Sequence, residues 1–178
     1  MGKRVEAPQE YVQRLLGNLK GRDPMEVLGA TAGRLRGYVR DTPLGVLRRR
    51  PAPDKWSGIE IIAHLADIEV VMGWRFRLIL AHDGITVQAF DQDEWVRNLG
   101  YQDTDPAESV DQFEPAREAN LRLLRRVEPS RLENCGVHPE RGRETVAHLV
   151  RLVAGHDLNH LAQLESLVSP GRSSAGQG

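Results

Sequence analysis

Apolar residues in this chain recur at alternating spacings of three and four over long segments. Nowhere is there a convincing run with the period of two that a half-buried strand needs. The clearest stripe, Ile61, Leu65, Ile68, Met72, Phe76 and Ile79, follows one face of an α-helix. This periodicity predicts an all-α fold. Ser57-Gly58-Ile59-Glu60 marks the start of that helix as a capping box, in which the Ser hydroxyl and the Glu carboxylate satisfy backbone donors that lack intrahelical partners. Asp83-Gly84 ends it after about residue 81. Three other long helices are predicted: one opened by Asp23-Pro24 and running through 39, one opened by Asp105-Pro106 and running to 127, and one from 143 or 144 to 168. A shorter amphipathic stretch over 8–20 carries Val12, Leu15, Leu16 and Leu19. Prolines 43, 51 and 53 make 41–55 an irregular connection with room for a helical turn over 44–50. A short helix is expected over 92–98, and Pro129 and Pro139 predict a loop over 128–142.

These boundaries give an N-terminal extension over 1–22, a four-helix bundle over 23–168 and a flexible tail over 169–178. A chain of 178 residues suits one domain with a full core. With 40% hydrophobic residues, 28% charged residues and a formal net charge of −1, it is neither a disordered chain nor a strongly electrostatic nucleic-acid binder. The basic run Arg48-Arg49-Arg50 reads as a solvated turn. The single cysteine, Cys135, excludes an internal disulfide and a thiolate metal cluster, and reads as an idle thiol. No apolar run reaches the roughly 20 residues of a membrane span, and the polar N-terminus has no signal-like apolar segment, so a cytoplasmic location is expected.

The last helix carries the stripe Leu149, Val153, His156, His160, Gln163 and Leu167, in which three polar side chains interrupt a buried face. One helical turn brings the Cβ atoms of His156 and His160 to about 6 Å, so both imidazoles can reach one ion. At 3.6 residues per turn, His64 lies about 40° to 60° around from Ile61 and Ile68 and also faces inward. Three imidazoles buried without partners cost several kcal/mol, which a shared divalent cation would offset. Three nitrogen donors suit Zn²⁺, Ni²⁺ or Fe²⁺ and leave a coordination position open, as catalytic sites do. The bland alternative is three core histidines, each with its own local hydrogen bond.

The segments Trp56-Ser57-Gly58-Ile59-Glu60-Ile61-Ile62-Ala63-His64-Leu65-Ala66-Asp67-Ile68-Glu69 and His156-Asp157-Leu158-Asn159-His160-Leu161-Ala162-Gln163 together resemble the DinB-like (DinB/YfiT-like) superfamily of metal-binding four-helix bundles. Residues 91–95, Arg117, His138-Pro139 and Gly142 resemble recurrent features of one branch, and the likeness spans about 24–168. The resemblance implies a bundle with a divalent metal on His64, His156 and His160 near one end of a cleft. It implies either a thiol S-transferase-like activity using a low-molecular-weight thiol, in which the ion activates a thiol, or a hydrolase-like activity, in which it activates water. A small-molecule substrate and a homodimer are further expectations. The competing expectation is a non-catalytic metal-binding stress-response bundle.

Other residues carry weaker signals. His156-Asp157-Leu158-Asn159-His160 only superficially imitates the zincin helix, because Asp replaces its general-base Glu. Gln163 extends the histidine patch, and Asp67 can either orient an imidazole or sit on a solvated helix face. Arg117 and Asn120 fall on the inward stripe of the third long helix, where they either line a cleft and bind an anionic substrate or join a structural ion pair. Trp56, Trp74 and Trp95 read as packing anchors. His82, His138 and His148 are expected on the surface or in loops.

Overall fold

A computed structural model describes residues 7–169. Its helices are α1 (Pro8–Gly17), α2 (Pro24–Asp41), α3 (Leu44–Arg48), α4 (Gly58–Ala81), α5 (Gln92–Asn98), α6 (Pro106–Arg126) and α7 (Val146–Val168). Three of the four long helices, α2, α4 and α6, begin where the capping chemistry predicts. Asp23 accepts from the Met25 and Glu26 amides ahead of Pro24. Ser57 and Glu60 close the capping box at 3.3 and 2.7 Å. Asp105 and Thr145 cap α6 and α7. The expected tail over 169–178 lies, apart from Ser169, outside the described residues.

Side-chain pairing fixes how the helices run. Thr31 and Tyr38 of α2 meet Asp157 and Glu165 of α7, so these helices are parallel. Asp67 and Glu69 of α4 meet Gln112 and Arg117 of α6, which makes that pair parallel as well. Against α6, α2 is antiparallel, with Leu28 facing Arg117 and Arg36 facing Asp111. The principal contacts run α2 to α6, α6 to α4, α4 to α7 and α7 back to α2. Helices that follow each other in sequence, α2 and α4 or α6 and α7, therefore face each other across the bundle rather than side by side.

The core is divided. Of the two larger apolar clusters, one includes Leu28, Ile68, Met72, Leu121 and Val153, and the other includes Leu35, Leu65, Phe113 and Leu161; a third, small one holds Ala63, Val96 and Tyr101. Each long helix carries buried polar side chains between residues of the two larger clusters, among them Thr31, Glu69, Arg117 and Asp157. The expected stripe from Ile61 to Ile79 is buried throughout. Outside the bundle, α1 lies on α7 so closely that a Cβ at Gly155 would come within 2.1 Å of the Leu15 carbonyl oxygen.

Four expectations need correction, the simplest being Trp74, which reads as a packing anchor but is 63% exposed. The segment 128–142 is more than a loop: a 3-10 turn (Pro129–Glu133) leads into β2 (Cys135–His138), which pairs antiparallel with β3 (Gly142–Thr145) and parallel with β1 (Ile85–Thr86). Strands of two and four residues are too short for alternation to register, and pairing rather than propensity holds them. Because β3 takes residues 142–145, α7 starts at Val146. His138, expected on the surface or in a loop, is buried in β2.

Candidate metal centre

The neighbouring antiparallel helices α4 and α7 aim three histidines at one point. His64 sits in the second turn of α4, while His156 and His160 are one turn apart on α7, and all three are buried. The Nε2 atom of His156 lies 3.0 Å from Nε2 of His64 and 3.1 Å from Nε2 of His160. One ligand atom from each ring falls within 4.8 Å of the others. The His160 Nδ1–H donates to Gln163 Oε1 at 2.7 Å, which leaves its Nε2 lone pair facing the other two rings. The His156 Nδ1 is buried with no protein partner.

Burial keeps these rings neutral. It drives His64 and His156 well below the ordinary imidazole range, and neighbouring positive charge adds to the effect. Burial also lowers His160, to about 4, against the opposing pull of the Gln163 hydrogen bond and Asp157. Neutral imidazoles with converging lone pairs repel unless a proton or cation lies between them. A tetrahedral or more open divalent ion with nitrogen affinity fits that donor set. Trp56 shields the group: its ring stacks on His160 at 5.8 Å between centroids and lies 4.8 Å from His64. Its indole N–H donates to Asp93.

Of the other residues singled out in sequence, Gln163 and Trp56 touch the cluster, whereas the hydrogen bonds of Asp67, Arg117 and Asn120 go elsewhere. Asp67 accepts from Tyr101 and Gln112. Arg117 is spent internally: its Nη1 donates to Asp157 at 2.7 Å and to the Leu28 carbonyl, and its Nη2 donates to Glu69 at 2.8 Å. Burial pulls its pKa down, but the two carboxylates outweigh that and leave it raised. Asn120 donates to Glu69 and accepts from Arg77. Cys135 is a buried free thiol. Glu69 and Asp157, the acidic partners of Arg117, and Thr31, which donates to Asp157, are not assigned these roles from the sequence. An inward arginine on α6 calls for an inward acid or a bound anion, but the sequence alone does not say which residue supplies it.

Two cavities adjoin the cluster. One of about 570 Å³ is lined by His160, Gln163, Trp56, Ile61 and Arg14. The other, of about 280 Å³, is lined by His156 and a floor of Ile68, Met72, Leu149, Leu152 and Val153. Tyr11 of α1 and Gln92 of α5 line both.

A four-helix bundle with three converging buried histidines is a scaffold with a candidate divalent-metal site. The sequence profile described as the DinB superfamily matches residues 28–164, and the chain belongs to that superfamily. Two Oceanobacillus iheyensis proteins, each named "Putative metal-dependent hydrolase", are 32% and 28% identical to it over 64% and 63% of this chain. A Bacillus mycoides protein of the same name is 25% identical over 63% of it. These matches span slightly less than two thirds of the relatives' own lengths, 65%, 64% and 64%. Among solved structures, Bacillus subtilis YfiT, described as "a probable metal-dependent hydrolase with an unusual four-helix bundle topology", aligns with a TM-score of 0.77. It covers 96% of this chain and 91% of its own at 18% identity, a likeness of fold. Among the described residues, no helix is long and apolar enough to cross a membrane.

Proposed function

We propose that this chain is a metal-dependent hydrolase in which His64, His156 and His160 hold a divalent ion, with Zn²⁺, Ni²⁺ and Fe²⁺ as the candidates. The observation that carries this reading is the convergence of three neutral ring nitrogens within 4.8 Å beside two cavities. When bound, such an ion supplies Lewis acidity that lowers the pKa of water, or of a low-molecular-weight thiol in the transferase variant of the same chemistry. The protein's own contribution is positional. Gln163 holds one tautomer of His160, and Trp56 holds the plane of that ring. Burial keeps all three nitrogens unprotonated near neutral pH. A purely structural ion would have closed surroundings; here His156 and His160 each line a cavity of small-molecule size.

Elemental analysis of the untagged protein, beside the His64/His156/His160→Ala variant, tests the site. Near-stoichiometric metal lost in the variant supports it, and His160→Ala should lose far more metal than His148→Ala. Equal and negligible metal in both proteins after reconstitution with Zn²⁺, Ni²⁺ and Fe²⁺ overturns it. Loaded protein is then assayed for ester and amide hydrolysis and for thiol transfer, and hydrolysis abolished by the triple variant is the expected result.

A further inference from the structure

Arg75 is a buried cation that makes no ion pair among the described residues. It lies on the inward face of α4, three residues after Met72 and four before Ile79, and is 6% exposed. Its one protein hydrogen bond goes to the Gln88 carbonyl, and its guanidinium lies 5.7 Å from the Phe90 ring centroid. No carboxylate among the described residues comes within ion-pair distance. The nearby Glu144 is engaged bidentately by Arg141, at 2.7 and 2.9 Å. Arg117, also buried, has two carboxylates, so the missing partner at Arg75 is a local feature rather than a habit of this fold. A buried guanidinium costs free energy unless an anion pairs with it.

Arg75 and His156 line the same cavity; because His156 meets His64 and α4 and α7 are antiparallel, the apolar floor of Ile68, Met72, Leu149, Leu152 and Val153 falls between their levels. His138 lines it too. The His138 Nδ1 accepts from the Glu140 amide at 3.2 Å, so in the neutral ring the proton sits on Nε2, a second neutral donor. Glu140 itself is at the exposed mouth. The cavity therefore has a cationic end, an apolar middle and a histidine end.

We infer that this cavity is a substrate subsite for an organic carboxylate, with the carboxylate on Arg75, an apolar body along α4 and α7, and the far end directed to His156. The orientation toward chemistry rests on the metal reading; the carboxylate site does not, because Arg75 is not a member of the histidine cluster. The ligand class follows from shape and charge together. A fork of N–H donors beside an apolar channel suits a planar anion carrying a hydrocarbon tail better than a small inorganic ion.

The test is calorimetric titration of the full chain with octanoate and, as the uncharged probe, octanol, in metal-loaded and chelator-treated protein. Saturable octanoate binding should persist in chelated protein. In Arg75→Gln it should weaken on the order of tenfold to a hundredfold, the scale of a charged hydrogen-bonded contact, while octanol binding stays within about twofold. Leu152→Trp, which places an indole in the channel from α7 and leaves the Arg75 side chain itself in place, should abolish binding of both probes, and it decides the matter if Arg75→Gln does not fold. Unchanged octanoate affinity in Arg75→Gln or in Leu152→Trp overturns the inference, as does the absence of saturable octanoate binding to the wild type. Octanoate binding lost on chelation but indifferent to Arg75→Gln also overturns it, by assigning the carboxylate to the ion. Failure of the metal reading shows separately, as absent metal with octanoate binding intact.

Discussion

Replacing Arg117 with methionine removes the cation that two buried carboxylates share. Glu69 keeps a hydrogen bond from Asn120 at 3.1 Å, and Asp157 keeps one from Thr31 at 2.7 Å, but neither keeps a counter-charge. Breaking a buried ion pair from one side costs about 3 to 5 kcal/mol, because the surviving charge stays out of water. In a chain of this size each kcal/mol moves the thermal midpoint by roughly 2 to 4 °C, so Arg117→Met should melt about 6 to 20 °C lower. Arg122, whose side chain is 62% exposed and pairs with Glu118 at 3.3 Å, provides the control. Arg122→Met should cost less than about 1 kcal/mol. Adding Glu69→Gln and Asp157→Asn to Arg117→Met removes the stranded charges and should recover at least half of the loss. Thermal melts and urea denaturation of the four proteins measure all of this. If Arg117→Met falls within about 1 kcal/mol of Arg122→Met, or if the triple variant is worse than the single one, the argument from buried charge is refuted.

Two further outcomes follow from burial and close packing. In chelated protein, His160 titrates near 4 rather than 6.5 because burial disfavours its charged form, so the unfolded chain takes up protons first as pH falls. Stability is then complete above about 6.5 and lost progressively toward about 4, by about 3 kcal/mol from His160 alone over the full window. His64 and His156 act in the same direction. Denaturation midpoints that do not change across that window would rule this out. At two helical glycines the same substitution should have opposite signs. Gly33→Ala on exposed α2 meets nothing within 4 Å and should stabilise by about 0.5 to 1 kcal/mol. Gly155→Ala would drive a methyl into the Leu15 carbonyl and should loosen α1, seen as faster amide exchange over Pro8–Gly17. Unchanged exchange there would refute the contact.

The parts of this fold that the sequence made legible were those governed by local rules. Periodicity located the long helices, and the Ser57–Glu60 box and the Asp-Pro pairs placed the starts of three of them to within a residue, while the last begins at Val146 rather than at 143 or 144. The histidines stood out because they occupy positions where leucine is expected, a signal that needs no knowledge of which helix faces which. What stayed hidden depends on tertiary pairing. Arg117 was visible as an anomaly, but whether it faced a cleft or a carboxylate depended on the order of helices around the bundle. Arg75 drew no notice because an arginine in a long helix is ordinary until its surroundings are known. The strand at Cys135–His138 was invisible because Gly136 is a poor strand former. That glycine is used where a Cβ would meet Ile79 at 2.8 Å, and the pairing depends on partners fifty residues upstream and ten downstream.

His64 and His156 touch across 92 residues of sequence, whereas His156 and His160 are neighbours on one helix. An ion held as proposed would therefore act as a removable cross-link that closes a long loop. The denatured chain keeps only the local pair and binds the ion far more weakly, so the metal selectively favours the closed state. Its effect resembles that of a disulfide spanning a long loop, with the difference that its strength is set by the concentration of free ion rather than by redox potential. In such a bundle the thermal midpoint is a metal sensor: it climbs with the logarithm of ion concentration, and a chelator unlocks the fold without altering a single covalent bond.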